Sequence, residues 1–277
     1  MTAPRVLVLG ASGRLGRMLQ RQWRDAWLQP LWQTRRDAGI AEAQVFDPLG
    51  DPAQIARRLG PVDVVIGLAG VTPGRGDLAL NTDLARAACA IGAATGARRV
   101  FASSSAAVYG RPESPVAEDA ALRPETPYGH AKAEMEATLR CAAPCPVTVL
   151  RIGNVAGADA LLDQPGAARC LDRFADGQGP RRAYIGPRAF ADVLASLAHR
   201  ATEGDALPDT LNLAQPGTVA MADLCHAAGL TVTWRPAPPE ALPELALDLG
   251  RLARLMPLPE ATPASIVADW QADRAMA

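Results

Sequence analysis

Short, almost wholly apolar runs alternate along the first half of the chain with stretches of helical period, and glycines or prolines mark the joins. Arg5-Val6-Leu7-Val8-Leu9 is the first run and, ending at Gly10, predicts a buried strand. A helical stretch follows, running through Met18, Leu19, Trp23 and Trp27. Leu31-Trp32-Gln33-Thr34 predicts a second strand and Gln44-Val45-Phe46 a third. The run from Val62 to Gly70 predicts a fourth, apolar nearly throughout as strands buried on both faces are. An Ala-rich helix over 77–95 leads to Arg99-Val100-Phe101-Ala102-Ser103, and Ala131-Lys132-Ala133-Glu134-Met135-Glu136-Ala137 predicts a helix over 128–140. Strands alternating with helices at this rhythm mean an α/β fold built on a doubly wound parallel sheet.

Beyond Asn154 the rhythm is lost. Residues 158–190 carry Gly166, Gly177, Gly179, Pro180 and Gly186-Pro187, and predict an irregular segment covering a substrate. Phe190 to Arg200 predicts a helix, and Thr210-Leu211-Asn212-Leu213-Ala214 a strand returning to the sheet. Pro236-Ala237-Pro238-Pro239 is a stiff link, and Leu247 to Leu252 opens a terminal helical section.

The chain has 277 residues, with 28 Lys and Arg against 29 Asp and Glu, so bulk charge gives no reason to expect a nucleic-acid partner. Local basic pairs, Arg35-Arg36 and Arg181-Arg182, read as phosphate contacts or as solvated charge. The five cysteines show no paired metal spacing and the three histidines do not join them, so no metal is expected. An odd cysteine count fits a reducing compartment. Met1-Thr2-Ala3-Pro4 leads too abruptly into the first strand to suggest a signal peptide, and the run from Val62 to Val71 contains an Asp and is too short to span a bilayer. The expectation is a soluble cytoplasmic protein without a membrane partner.

Two motifs carry chemistry. Gly10-Ala11-Ser12-Gly13-Arg14-Leu15-Gly16 sits between the first strand and the first helix. Glycines there allow a tight turn and close approach of backbone to a pyrophosphate, and the helix N-terminus supplies N–H donors. That defines a dinucleotide-binding Rossmann domain over 1–155, with a small, mostly irregular or helical substrate lobe over 156–277 from which 190–215 return to the sheet. After the second strand Thr34 stands where an acid would hold a ribose 2′-OH, and Arg35 and Arg36 follow. An arginine there suits a 2′-phosphate and favours NADP over NAD. The alternatives are that both arginines solvate a strand end, or that Asp37 serves as the acid. Asp47, closing the third strand, is placed for the adenine edge.

The second motif is Pro127-Tyr128-Gly129-His130-Ala131-Lys132, downstream of Ser103-Ser104-Ser105. Tyr128 and Lys132 share one helix face, and an ammonium beside a phenol of ordinary pKa about 10 favours the phenolate. His130 points off that face. Ser103 and Ser104 read as backbone-satisfied at a strand end, and Tyr109 as packing.

Together these residues resemble the extended short-chain dehydrogenase/reductase family, which includes sugar-nucleotide epimerases, dehydratases and ketoreductases. Gly10-x-x-Gly13-x-x-Gly16 looks like its cofactor loop, Leu68-Ala69-Gly70 like the segment beneath the nicotinamide, and Asn81 falls where the family often has a helix asparagine. Phe101 to Gly110 resembles its serine strand, and Leu150-Arg151-Ile152-Gly153-Asn154-Val155-x-Gly157 the strand and turn that come after. The resemblance implies that Ser105 hydrogen-bonds the substrate oxygen, that Tyr128 is the acid/base, and that Lys132 holds the nicotinamide ribose and lowers the tyrosine pKa. Ser103 falls among the cofactor contacts and Asn154 among those to substrate. Pairing of two copies through the Tyr128 helix and the one before it is also implied.

The segment after Asn154 is shorter than in sugar-nucleotide members, and Tyr184-Ile185-Gly186-Pro187-Arg188 departs from their usual acidic, histidine-bearing run. Arg182 or Arg188 is expected to meet an anionic substrate, surface charge being the alternative. The leading expectation is an NAD(P)-dependent oxidoreductase acting on a small or sugar-like substrate. A sugar epimerase and a dinucleotide-sensing binding protein are the alternatives, and the intact Ser105, Tyr128 and Lys132 argue against the sensor.

Overall fold

A computed structural model describes residues 3–277. Strand β1 (Arg5–Leu9) enters the glycine turn and then helix α1 (Arg14–Gln22). This helix is shorter than expected: Trp23 is its C-cap, and Trp27 lies beyond it, exposed and stacked on His199. Strands β2 (Gln29–Thr34) and β3 (Gln44–Val45) follow. Helix α2 (Pro52–Leu59) starts on Asp51, whose side chain caps the N–H of Ala53, with Pro52 in the first turn. Strand β4 (Val64–Gly67) is the middle of the long apolar run; its flanks leave the sheet. Helix α3 (Leu80–Thr95) begins a few residues after Asp77 and ends at Gly96 in the left-handed conformation.

Strand β5 (Arg99–Ser105) takes in the whole serine run, and a 3₁₀ turn (Ala106–Tyr109) follows. Thr126 caps helix α4 (Pro127–Ala142) by accepting from the N–H of Gly129, with Pro127 in its first turn. Strands β6 (Val147–Ile152) and β7 (Asn154–Val155) lead into the second half.

That half is more ordered than the glycines and prolines suggested. It holds β8 (Ala168–Arg173), β9 (Arg181–Arg182) and β10 (Tyr184–Ile185), then α5 (Pro187–Glu203) and β11 (Thr210–Leu213). Next come β12 (Val219–Ala220), α6 (Met221–Ala227), β13 (Thr231–Pro236), β14 (Glu244–Leu245), α7 (Gly250–Leu255) and α8 (Pro263–Ala275). Three small sheets, β10-β7, β12-β9-β14 and β13-β8, stand among the helices and irregular stretches expected there. Their strands are short or paired over long sequence separations, and local pattern does not report such pairings.

The main sheet has the order β11-β6-β5-β4-β1-β2-β3, and every pair in it is parallel. Alternation along β1 divides the core. Val6 and Val8 pack with Leu150, Phe190 and Leu194 on the side of α1 and α5, while Leu7 and Leu9 pack with Ile91, Val100 and Leu139 on the side of α2, α3 and α4. The strand order reverses between β1 and β4, and the crevice above their C-terminal ends is where open α/β sheets bind ligands.

Candidate active site

The crevice opens as two joined cavities. The larger, about 560 Å³, is lined by Gly10, Ser12, Gly13, Arg14, Leu15, Gly16, Leu68, Gly70, Asn81, Ser103, Ser105, Tyr128, Lys132 and Asn154. The smaller, about 270 Å³, shares Gly10, Ser12, Gly13, Leu68 and Gly70 with it and adds Thr34, Arg35, Asp47 and Ala69. A groove of similar size, about 530 Å³, lies at the N-terminal end of β11 and holds none of these groups.

The glycine turn is shaped for close approach. Gly10 has φ +87°, and a Cβ there would lie 2.6 Å from the backbone N of Ala69. At Gly16 a Cβ would lie 2.5 Å from the Cα of Ala11, so only glycine lets α1 start so near the turn. Gln33 fixes the loop from beneath, accepting from the N–H of Gly10 at 2.9 Å and donating to the carbonyl of Phe46 at 2.6 Å. At the end of β2 the buried Thr34 Oγ1 is the one buried side-chain polar atom without a partner among the described residues. An orphaned hydroxyl beside Arg35, in a cavity continuous with a glycine cradle, fits the sugar and phosphate end of a dinucleotide. Arg36 is exposed and lines neither cavity; Asp37 turns to the N–H of Gly39 at 2.9 Å.

At the other end, Lys132 is 3 % exposed and donates to the carbonyl of Ser103 at 2.8 Å, with its Nζ 5.8 Å from the Tyr128 ring centroid. Burial pushes its ammonium down to about 8, against the pull of the Glu136 carboxylate. Burial also raises the Tyr128 phenol above its ordinary value, and the cation that opposes this is the guanidinium of Arg14. The expected lowering of the phenol by Lys132 is therefore absent in the protein alone; desolvation outweighs it. Ser105 Oγ accepts from the N–H of Ala107 at 3.2 Å, which leaves its proton free to donate into the cavity.

The remaining residues divide between the cavity wall and the framework behind it. The buried amide of Asn81 donates to the carbonyls of Val71 and Leu78 and accepts from the N–H of Val71, so it braces the loop after β4 although it borders the cavity. Ser103 donates to the carbonyl of Gly67 as anticipated, whereas Ser104 donates to the Glu136 carboxylate at 2.5 Å and not to backbone. Arg182 lies in the β12-β9-β14 sheet and donates to the carbonyls of Arg181, Leu242 and Pro243; Arg188 stands in the first turn of α5 beside Asp269. Neither lines the cavity. Beside Arg14 and Lys132, the cation that lines it is Arg75, in the loop after β4. Sequence reading passed over it, because nothing in the loop's composition says which way it folds.

The sequence profile of the NAD dependent epimerase/dehydratase family matches residues 6–185, the stretch that builds this crevice. The chain belongs to that family. A UDP-glucose 4-epimerase of Azospirillum brasilense is 35 % identical over an alignment of 176 residues that covers 57 % of this chain and 51 % of that protein, so the match extends over about half the relative's length. The UDP-glucose 4-epimerase of Brucella ovis in complex with NAD superposes with a TM-score of 0.80 at 19 % identity, over 96 % of this chain and 97 % of the other. That of Stenotrophomonas maltophila, with bound NAD and formylated UDP-arabinopyranose, gives 0.79 at 22 % identity, over 99 % and 98 %. Among the described residues no helix of this family member is long and apolar enough to cross a membrane.

Proposed function

We propose that this chain binds a nicotinamide dinucleotide along the two cavities and transfers a hydride to or from the carbonyl or alcohol carbon of a small or sugar-like substrate, with Tyr128 as acid/base. The observation that carries the reading is that Ser105, Tyr128 and Lys132 line one cavity with Gly10 and Gly13. The bound nicotinamide supplies the hydride or accepts it. Ser105 donates to the substrate oxygen and holds it beside the phenol. Tyr128, a phenol protonated at neutral pH and raised further by its burial, gives that oxygen a proton as negative charge develops on it, and takes it back in the reverse direction. Lys132 is tethered to the carbonyl of Ser103, so its position follows β5 and not the solvent.

The carboxylate of Asp159, also at the cavity wall, accepts from the Tyr184 hydroxyl at 2.8 Å and the N–H of Leu162 at 3.2 Å. Arg14 pairs with Asp163 at 2.8 Å. Among the described residues Arg75 has no such partner, and it is exposed at the mouth, so an anionic group on the substrate is read as its complement. Against a panel of simple ketones, sugar phosphates and nucleoside-diphosphate sugars, followed by nicotinamide absorbance and product analysis, turnover is expected for sugar-like members. Arg75→Gln is expected to raise KM for the anionic ones about tenfold and leave neutral ones unchanged; a uniform effect removes Arg75 from recognition.

For the cofactor, Arg35 in the smaller cavity and the free Thr34 hydroxyl support NADPH. Fluorescence titration is expected to give NADPH an affinity about tenfold above NADH, lost in Arg35→Ala, since a charge-assisted bond contributes about 1.5–3 kcal/mol. Equal or reversed affinities would overturn the preference. The relative from Azospirillum brasilense favours a second reading, a sugar epimerase that returns the hydride to its own substrate. Nicotinamide carried through purification and released on denaturation supports that reading; its absence supports a net reductase.

A further inference from the structure

Arg151 and Glu136 are each only 2 % exposed, yet both are charged, and they meet between α4 and the sheet. Arg151 Nη2 donates to Glu136 Oε2 at 2.7 Å, and its Nε lies 3.1 Å from both carboxylate oxygens. Ser104 Oγ donates to Oε1 of the same carboxylate at 2.5 Å. The other end of the guanidinium donates to the Tyr109 hydroxyl at 2.9 Å and the carbonyl of Glu118 at 2.8 Å, and Tyr109 donates in turn to Asn212 at 2.6 Å.

Burying such a pair is not a route to stability by itself, because desolvation offsets the attraction and an apolar pair of the same volume often does as well. A two-pronged guanidinium–carboxylate contact differs from an apolar one in direction: it fixes angle and register. The elements fixed here, α4, β5 and β6, are three of those that bound the cavity. Glu136 follows Lys132 and Tyr128 at intervals of four, on one face of α4. Ser104 stands between Ser103, whose carbonyl holds Lys132, and Ser105. Arg151 lies on β6, which runs into Asn154 at the cavity wall.

We propose that Glu136 is a positioning residue of this site, its carboxylate shared by Ser104 and Arg151 so that the Tyr128 hydroxyl and the Lys132 ammonium stand in register with Ser105. This rests on the roles given above to Tyr128 and Lys132. Glu136 is also the one carboxylate that acts on the Lys132 ammonium. The other titratable or charged groups around the two are Tyr128 on the same helix, Arg151 on β6, Tyr109 in the 3₁₀ turn with Glu118 behind it, and Arg14 on the far side of Tyr128. The faces of β5 and α3 contribute Ser104 and Asn81, which do not titrate.

The test uses full-length protein, with affinity for whichever of NADH and NADPH binds more tightly followed by fluorescence across the pH range, alongside turnover on a substrate from the panel. Wild-type affinity is expected to fall as pH rises past about 8, where Lys132 loses its proton and with it a donor to the ribose. In Glu136→Gln the midpoint is expected to move down by about one unit, and turnover at neutral pH to fall at least tenfold while cofactor affinity below the midpoint changes less than threefold. If Glu136→Gln does not fold, Glu136→Gln/Arg151→Leu removes both charges and is expected to show the same two changes. A folded variant with the wild-type midpoint, or with undiminished turnover, overturns the proposal and leaves the pair purely structural. Lys132→Met separates the two layers. If it keeps the wild-type midpoint, the assignment of Lys132 fails and this inference falls with it; if it loses the pH dependence while Glu136→Gln keeps it, the inference alone fails.

Discussion

Tyr128→Phe is expected to lower turnover by about 10³-fold while cofactor affinity and thermal stability stay close to wild type. The phenol makes no hydrogen bond to another described residue, so its removal orphans no donor or acceptor, and the ring that fills the wall is retained. A positioned acid/base contributes about 10²–10⁴-fold, and no second group lining the cavity can replace it. Lys132 is held by the carbonyl of Ser103, Ser105 is an ordinary hydroxyl, and the Asp159 carboxylate is engaged by Tyr184 and backbone. Because burial raises the phenol, the reductive direction is expected to keep its rate through neutral pH and lose it only as the solution becomes alkaline enough to ionise Tyr128. Steady-state kinetics across pH, beside a cofactor titration of the variant, checks both parts. Turnover retained within about tenfold would remove Tyr128 from the chemistry.

Gly10→Ala carries the largest expected effect on the fold itself. At φ +87° a side chain is strained, and its Cβ would sit 2.6 Å from one backbone atom of Ala69 and 2.7 Å from another. Neither neighbour is a flexible side chain that can swing aside. Left-handed strain and overpacking together cost about 3 kcal/mol, which for a chain of this size is a fall of roughly 6–12 °C in melting midpoint. Dinucleotide affinity is expected to fall by at least tenfold as well, since the displaced loop is the one that would cradle the pyrophosphate. A thermal melt and a fluorescence titration measure the two effects. A variant that melts with the wild type and binds as tightly would show that the loop yields more easily than its contacts suggest.

The parts of the site legible in the sequence are those set by local rules. The apolar run Arg5–Leu9 and the closing Gly10 place a buried strand before a glycine turn, and the helix predicted over 128–140 puts Tyr128 and Lys132 on one face. Arg151 also left a trace, as a charged residue inside an apolar strand has to find a buried partner, but the strand does not say which. Glu136 is the answer, and its spacing of four from Lys132 was visible without its meaning.

What the sequence determined by itself, then, is the doubly wound sheet and the glycine cradle, because each depends on periodicity and turn chemistry acting over a few residues; the Ser105, Tyr128 and Lys132 set came only with the resemblance to a family. The tertiary structure alone decided which charges reach the cavity. It turned Arg182 and Arg188 away into strand pairs and a helix start, brought Arg75 to the mouth, and left the Thr34 hydroxyl without a partner. It also set the protonation balance, raising the Tyr128 phenol by burial where the neighbouring lysine alone implied a lower one. Desolvation and long-range pairing depend on what the rest of the chain packs around a group, and no local pattern encodes them.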